Sequence, residues 1–158
     1  MMGILQVASY IYKRYMDDFG VPIDEMKLHK LLYFTQRECL IQKGESMFEA
    51  LFEAWKYGPV MVQIRQYYKN DSFPELIDKE QVVQYEPVFD MVFKTYAPQK
   101  SWSLSTLTHG EYSLKHAREG YDELDSCEVE MKTEDIMVDA NRVRERRAVL
   151  CQLNLYNA

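Results

Sequence analysis

The sequence predicts a mainly α protein: a compact, single-domain helical bundle over residues 1–158 with at most a small two- or three-stranded β element. Three observations carry that expectation. The chain has 158 residues, the length of one domain, and a chain of that size buries about 68–70% of its unfolded surface without a metal or disulfide staple. Apolar residues recur at helical spacing through most of it, the pattern of helices with one face turned inward. Hydrophobic residues make up 47% and charged residues 28%, proportions that exclude wholesale disorder.

The elements follow in order. Ile4, Val7, Ala8, Ile11 and Tyr15 form one helical face over 4–19, and Gly20 ends that helix. Pro22 disfavours helix at Val21, so Val21-Pro22-Ile23 is a connector and Asp24 an N-cap whose carboxylate accepts from the first-turn amides. The next helix runs to about Gln42, with Gly44 near its C-terminal end. Leu28, Leu31, Leu32, Thr35 and Cys39 make one stripe, and Tyr33, Phe34, Leu40 and Ile41 cover much of the remainder. A helix apolar on most sides is a central one. His29, between Leu28 and Lys30, is expected at that helix's surface.

Residues 47–57 read as extended or loop, with Trp55 and Tyr57 alternating so that one anchors in the core while the other faces out. Gly58-Pro59 then reverses the chain, and Pro59 is placed as the first residue of a new helix, where its missing N–H is not needed. Val60, Ile64 and Tyr67 or Tyr68 continue that helix until 70–74 breaks it. Pro87 starts a helix carrying Val88, Met91, Val92 and Tyr96, with Pro98 beyond its end. A capped turn is expected in 102–108 at Ser103 or Ser105, and a short helix from about Glu111 to Arg118 ends at Gly120. Residues 119–135 hold eight acids and one base and read as an acidic surface loop. Thr133 opens a last helix in phase through Ile136, Ala140, Val143 and Leu150; segment 119–158 is thus an acidic loop plus a C-terminal helix. Arg142, Arg144, Arg146 and Arg147 scatter around that helix at about 100° per residue, which suggests pairing with the acidic segment rather than a DNA-binding face.

Charge bounds the function. Nineteen Lys and Arg against twenty-five Asp and Glu give −6, the opposite of the basic footprint that phosphate neutralisation demands. A basic protein partner fits better than nucleic acid. Three widely spaced cysteines, no signal-peptide pattern and no apolar run of membrane-spanning length predict a protein of the reducing cytoplasm. His109 and His116 lack a nearby Cys for a zinc set, Glu49 and Glu53 have no feature that separates their roles, and Cys39 selects no histidine for a dyad. No nucleophile elbow, phosphate loop or dinucleotide fingerprint is present. The sequence therefore predicts no catalytic centre and no cofactor.

Two stretches are more specific. Lys27-Leu28-His29-Lys30-Leu31-Leu32-Tyr33-Phe34-Thr35-Gln36 is followed by Phe52-Glu53-Ala54-Trp55-Lys56-Tyr57-Gly58-Pro59-Val60, and Leu104-Ser105-Thr106-Leu107-Thr108-His109 by Ala117-Arg118. Together they resemble, over about residues 4–120, the Panacea-domain family, the SocA-like antitoxins and GepA-type phage-associated proteins. The tryptophan-to-proline segment is the most specific part; Leu114 stands where many relatives have a tryptophan. The resemblance implies an antitoxin of a two-gene pair that binds a cognate protein toxin directly or delivers it to a Clp-type protease, or else a phage or mobile-element module that binds a host protein. It singles out Lys27, Tyr33, Gln36, Trp55, Lys56, Tyr57, Gly58, Pro59, Thr108, His109 and Arg118. Lys56 and Tyr57 are the expected partner contacts, whereas Thr108 and His109 are expected to bond at a helix end, and Arg118 to pair with a carboxylate or cap its turn.

Overall fold

Asp24 and Gly44 bracket the helix around which the rest of the chain packs. In the computed structural model, which describes residues 1–154, the Asp24 carboxylate accepts from the Lys27 N–H at 2.8 Å and Gly44 closes the other end at φ 72°, a left-handed conformation that glycine adopts without strain. Between them α2, Glu25–Lys43, is buried from Lys27 to Leu40. It touches α1 (Ile4–Phe19), α5 (Glu86–Thr95), α6 (Ser101–His109) and α8 (Thr133–Gln152). Short helices α3 (Val62–Lys69), α4 (Lys79–Gln84) and α7 (Tyr112–Ala117) complete eight helices among the described residues. The fold is mainly α, as expected. Residues 155–158, at the end of the predicted C-terminal segment, lie outside the described residues.

The β element is one antiparallel hairpin, β1 (Phe52–Trp55) and β2 (Gly58–Met61), with Trp55 opposite Gly58 and Ala54 opposite Pro59. Residues 129–131 run along the free edge of β1: the Ala54 N–H donates to the Val129 carbonyl at 2.8 Å and the Met131 N–H to the Phe52 carbonyl at 2.7 Å. The acidic segment is thus part loop and part sheet edge, with Cys127 and Met131 buried beneath it. Among the described residues no helix is long and apolar enough to cross a membrane.

Several expectations are corrected. Pro59 does not begin a helix; it lies in β2, and α3 starts at Val62. An antiparallel ladder alternates hydrogen-bonded and open pairs, and a proline is tolerated on an edge strand where its missing N–H would have pointed outward. Residues 101–109 form a full helix rather than a capped turn. Helix α4 carried no recognised periodicity, and none of its residues is buried. His29 is 2% exposed, not a surface residue, because β2 covers its face of α2. The late arginines turn to α2 instead of the acidic segment. Arg147 grips the buried Glu38 at 2.8 and 2.9 Å, and Arg144 donates to the Ile41 carbonyl in the last turn of α2 and to the Leu40 carbonyl, which also accepts the capping Gly44 N–H.

Candidate functional site

Four buried polar residues of α2, Lys27, His29, Lys30 and Gln36, hold backbone of neighbouring segments. Lys27 Nζ donates to the Ala97 carbonyl and to Tyr15 Oη, both at 3.1 Å. The Gln36 side-chain amide donates to the Phe48 carbonyl at 3.0 Å, while its oxygen accepts from the Met47 N–H at 3.0 Å and the Phe48 N–H at 3.4 Å. The outer edge of β2 is treated likewise. Lys30 Nζ donates to the Pro59 carbonyl at 3.2 Å, and His29 Nδ1 accepts from the Met61 N–H at 3.1 Å. Helix α2 therefore stands in for a third strand beside β2, with side chains in place of a backbone ladder.

This arrangement has electrostatic consequences. Burial pushes the Lys30 ammonium down to about 8 and lowers the His29 imidazole. With Nδ1 accepting, the His29 proton sits on Nε2 and donates to Glu25 at 3.1 Å. That hydrogen bond, followed by one from Arg65 at 3.0 Å, holds the Glu25 carboxyl at about 2. Tyr33 is fully buried among Glu111, Ser113 and Asp139, and burial raises its phenol well above the ordinary range.

The hairpin so fixed carries its tip outward. Residues 56–57 form the turn; Lys56 is exposed and Tyr57 is 40% exposed. Ser105 Oγ donates to the Tyr57 carbonyl at 2.7 Å, and His109 bridges the Lys56 and Ser105 carbonyls, 2.7 Å from each. Helix α6 thereby clamps the tip from below. It also presents Trp102, 62% exposed, edge-on to Tyr57 with ring centroids 5.1 Å apart. Lys56 Nζ lies over the Tyr57 ring, 5.1 Å from its centroid. Trp55 does not anchor in the core; it is half-buried at the edge, its indole N–H donating to Glu53 at 3.0 Å and its ring 4.9 Å from the Arg65 guanidinium. Beside it a cavity of about 300 Å³ is walled by Met26, His29, Lys30, Tyr57 and Val60.

The residues singled out from sequence thus divide. Lys27, Tyr33, Gln36, Gly58, Pro59 and Thr108 are buried, and Arg118 is buried too. Among the described residues Arg118 pairs with no carboxylate: it donates to the carbonyls of Ala54, Asp122, Glu123 and Asp125, pinning the acidic loop to β1. Lys56, Tyr57, Trp55 and His109 gather at the hairpin tip. Sequence reasoning missed Trp102 as a surface residue, although its place two residues before the buried Leu104 puts it off that stripe. Among the described residues no group of three or more His, Cys, Asp or Glu side chains is placed to hold a metal ion.

Comparison with known proteins gives this geometry a family. The family model described as Antitoxin SocA-like, Panacea domain, matches residues 28–113, more than half of the chain; it takes in the hairpin and α6 and leaves Lys27 and Arg118 just outside. The Antitoxin SocA of Caulobacter vibrioides (strain NA1000 / CB15N) is 48% identical over 40 residues, which span 25% of this chain and 21% of that protein. No solved structure matches. With its matched span running from the central helix through the hairpin to the start of α7, the chain belongs to the Antitoxin SocA-like, Panacea domain family.

Proposed function

We propose that this protein is an antitoxin that neutralises a cognate protein toxin by binding it, with the hairpin tip and Trp102 as the contact surface. The observation that carries the reading is the exposed cluster of Tyr57, Trp102 and Lys56, built on the family's most specific segment. Exposed Tyr and Trp on a rigid frame are the side chains that dominate protein–protein binding energy. The clamp of Ser105, His109, Lys30 and His29 on the hairpin backbone limits the ordering cost of association. Recognition of this kind needs no catalytic group.

Co-expression tests the reading. The product of the neighbouring gene, expressed alone, is expected to arrest growth, and this chain expressed with it to restore growth and to co-purify with it. Absence of both rescue and complex would overturn the proposal. The level of the toxin distinguishes the two modes of neutralisation: occlusion leaves it unchanged, whereas delivery to a Clp-type protease lowers it.

A further inference from the structure

A second hollow lies away from the hairpin tip. Between α2, α5, α6 and α8 an open cavity of about 400 Å³ is lined by Met91, Leu107, Val143 and Leu150 and by the arginines Arg37, Arg142, Arg146 and Arg147, with Glu111 and Asp139 on the same wall. Four cations against two carboxylates leave this lining at +2 in a chain of −6. Some of these charges are already committed. Arg147 is held by Glu38, and Asp139 accepts from the Tyr112 and Ser113 N–H groups at 2.8 and 2.9 Å.

Others are not. Arg37 is 4% exposed; its terminal nitrogens donate to Glu111 and to Tyr96 Oη, but its buried Nε–H has no hydrogen-bond partner. Leaving such a donor unmet is costly. The Arg142 guanidinium lies 5.4 Å from the Tyr112 ring centroid. It makes no hydrogen bond or ion pair among the described residues, and neither does Arg146. Three guanidinium groups with donors to spare therefore line a hollow that also carries Met91, Leu107, Val143 and Leu150.

We propose that this cavity binds a small organic anion, its carboxylate or phosphate head on Arg37, Arg142 and Arg146 and its apolar body along Met91, Leu107 and Leu150. Guanidinium forks match the paired oxygens of either head group. The volume falls in the range of small-molecule sites, roughly 300–1,000 Å³. The site uses no residue of the hairpin tip, so its failure and that of the antitoxin reading are separable.

The test is a titration of the whole protein, followed by amide chemical shifts, with hexanoate, hexyl phosphate and hexanol at constant ionic strength. One or both anions are expected to bind saturably with Kd below about 5 mM, shifting residues lining the cavity, while hexanol does not. The stronger of the two identifies the head group. Arg142 and Arg146 are exposed, so R142A/R146A is expected to keep its melting temperature and to bind at least about tenfold more weakly. No saturable shift with either anion up to about 20 mM, equal binding of hexanol, or undiminished binding by the double variant would each overturn the proposal.

Discussion

Gly58 is the position where a side chain cannot be added. Its φ is 113°, and a Cβ built on it would lie 2.5 Å from Thr108 Oγ1 and 2.8 Å from Lys30 Cε. Thr108 is itself buried and bonded to the Ser105 carbonyl at 2.7 Å, so it cannot simply turn aside. Gly58→Ala is expected to destabilise the protein by about 2–5 kcal/mol in denaturant unfolding, from backbone strain and overpacking together. Removing the obstructing hydroxyl in G58A/T108A should return part of the loss. Glu111 supplies a pH signature. Burial, opposed by Arg37 and reinforced by Asp139, raises its carboxyl from 4.5 to about 6. Its ionisation is therefore harder in the folded than in the unfolded chain, and stability is lost as pH rises through that window. Relative to the wild type, Glu111→Gln should gain about 2 kcal/mol between about pH 3 and pH 8, most of it from pH 4.5 to 6. A stability gap that stays constant across that window would contradict the raised carboxyl.

At the level of elements, α2 is a strut whose polar residues hold other segments in place. Gln36→Ala removes three hydrogen bonds to the backbone of Met47 and Phe48 and leaves buried groups unmet, so a loss of about 2–4 kcal/mol in thermal or denaturant unfolding is expected. The boundaries of α2 could be read from Asp24 and Gly44 because caps are local chemistry. Its centrality could be read from apolar residues on most sides. The strand at Pro59 could not. The rule that places proline at a helix start uses near neighbours, whereas the groups that fix β2 are Lys30 and His29, 29 and 32 residues away. The same distance hid the burial of His29, since nothing in Leu28-His29-Lys30 announces a strand packed above it. Helix α6 was obscured by its serines, which favour caps in general but here bond outward, Ser105 to Tyr57. The sequence could mark Lys56 and Tyr57 as motif members, but only the fold sets Trp102 beside them.

Across the whole molecule, the acidity is local and lies near the hairpin. Residues 119–135 carry eight acids and one base. Arg118 and the pairing of 129–131 with β1 hold this strip against the strand that leads to the tip. Acids from Glu119 to Glu130 are exposed there, so a partner docking on the tip would meet a negative border. Association with a basic toxin is expected to slow at least severalfold between about 50 and 500 mM salt, as charge steering is screened; stopped-flow mixing would measure it. The central claim is that Tyr57 and Trp102 bind the partner while the buried motif residues only position them. The most direct measurement is the affinity of Y57A/W102A for the co-purified partner by calorimetry, with the melting temperature measured alongside. The account predicts binding weakened at least about 30-fold at an unchanged melting temperature. Wild-type affinity in that variant would contradict it.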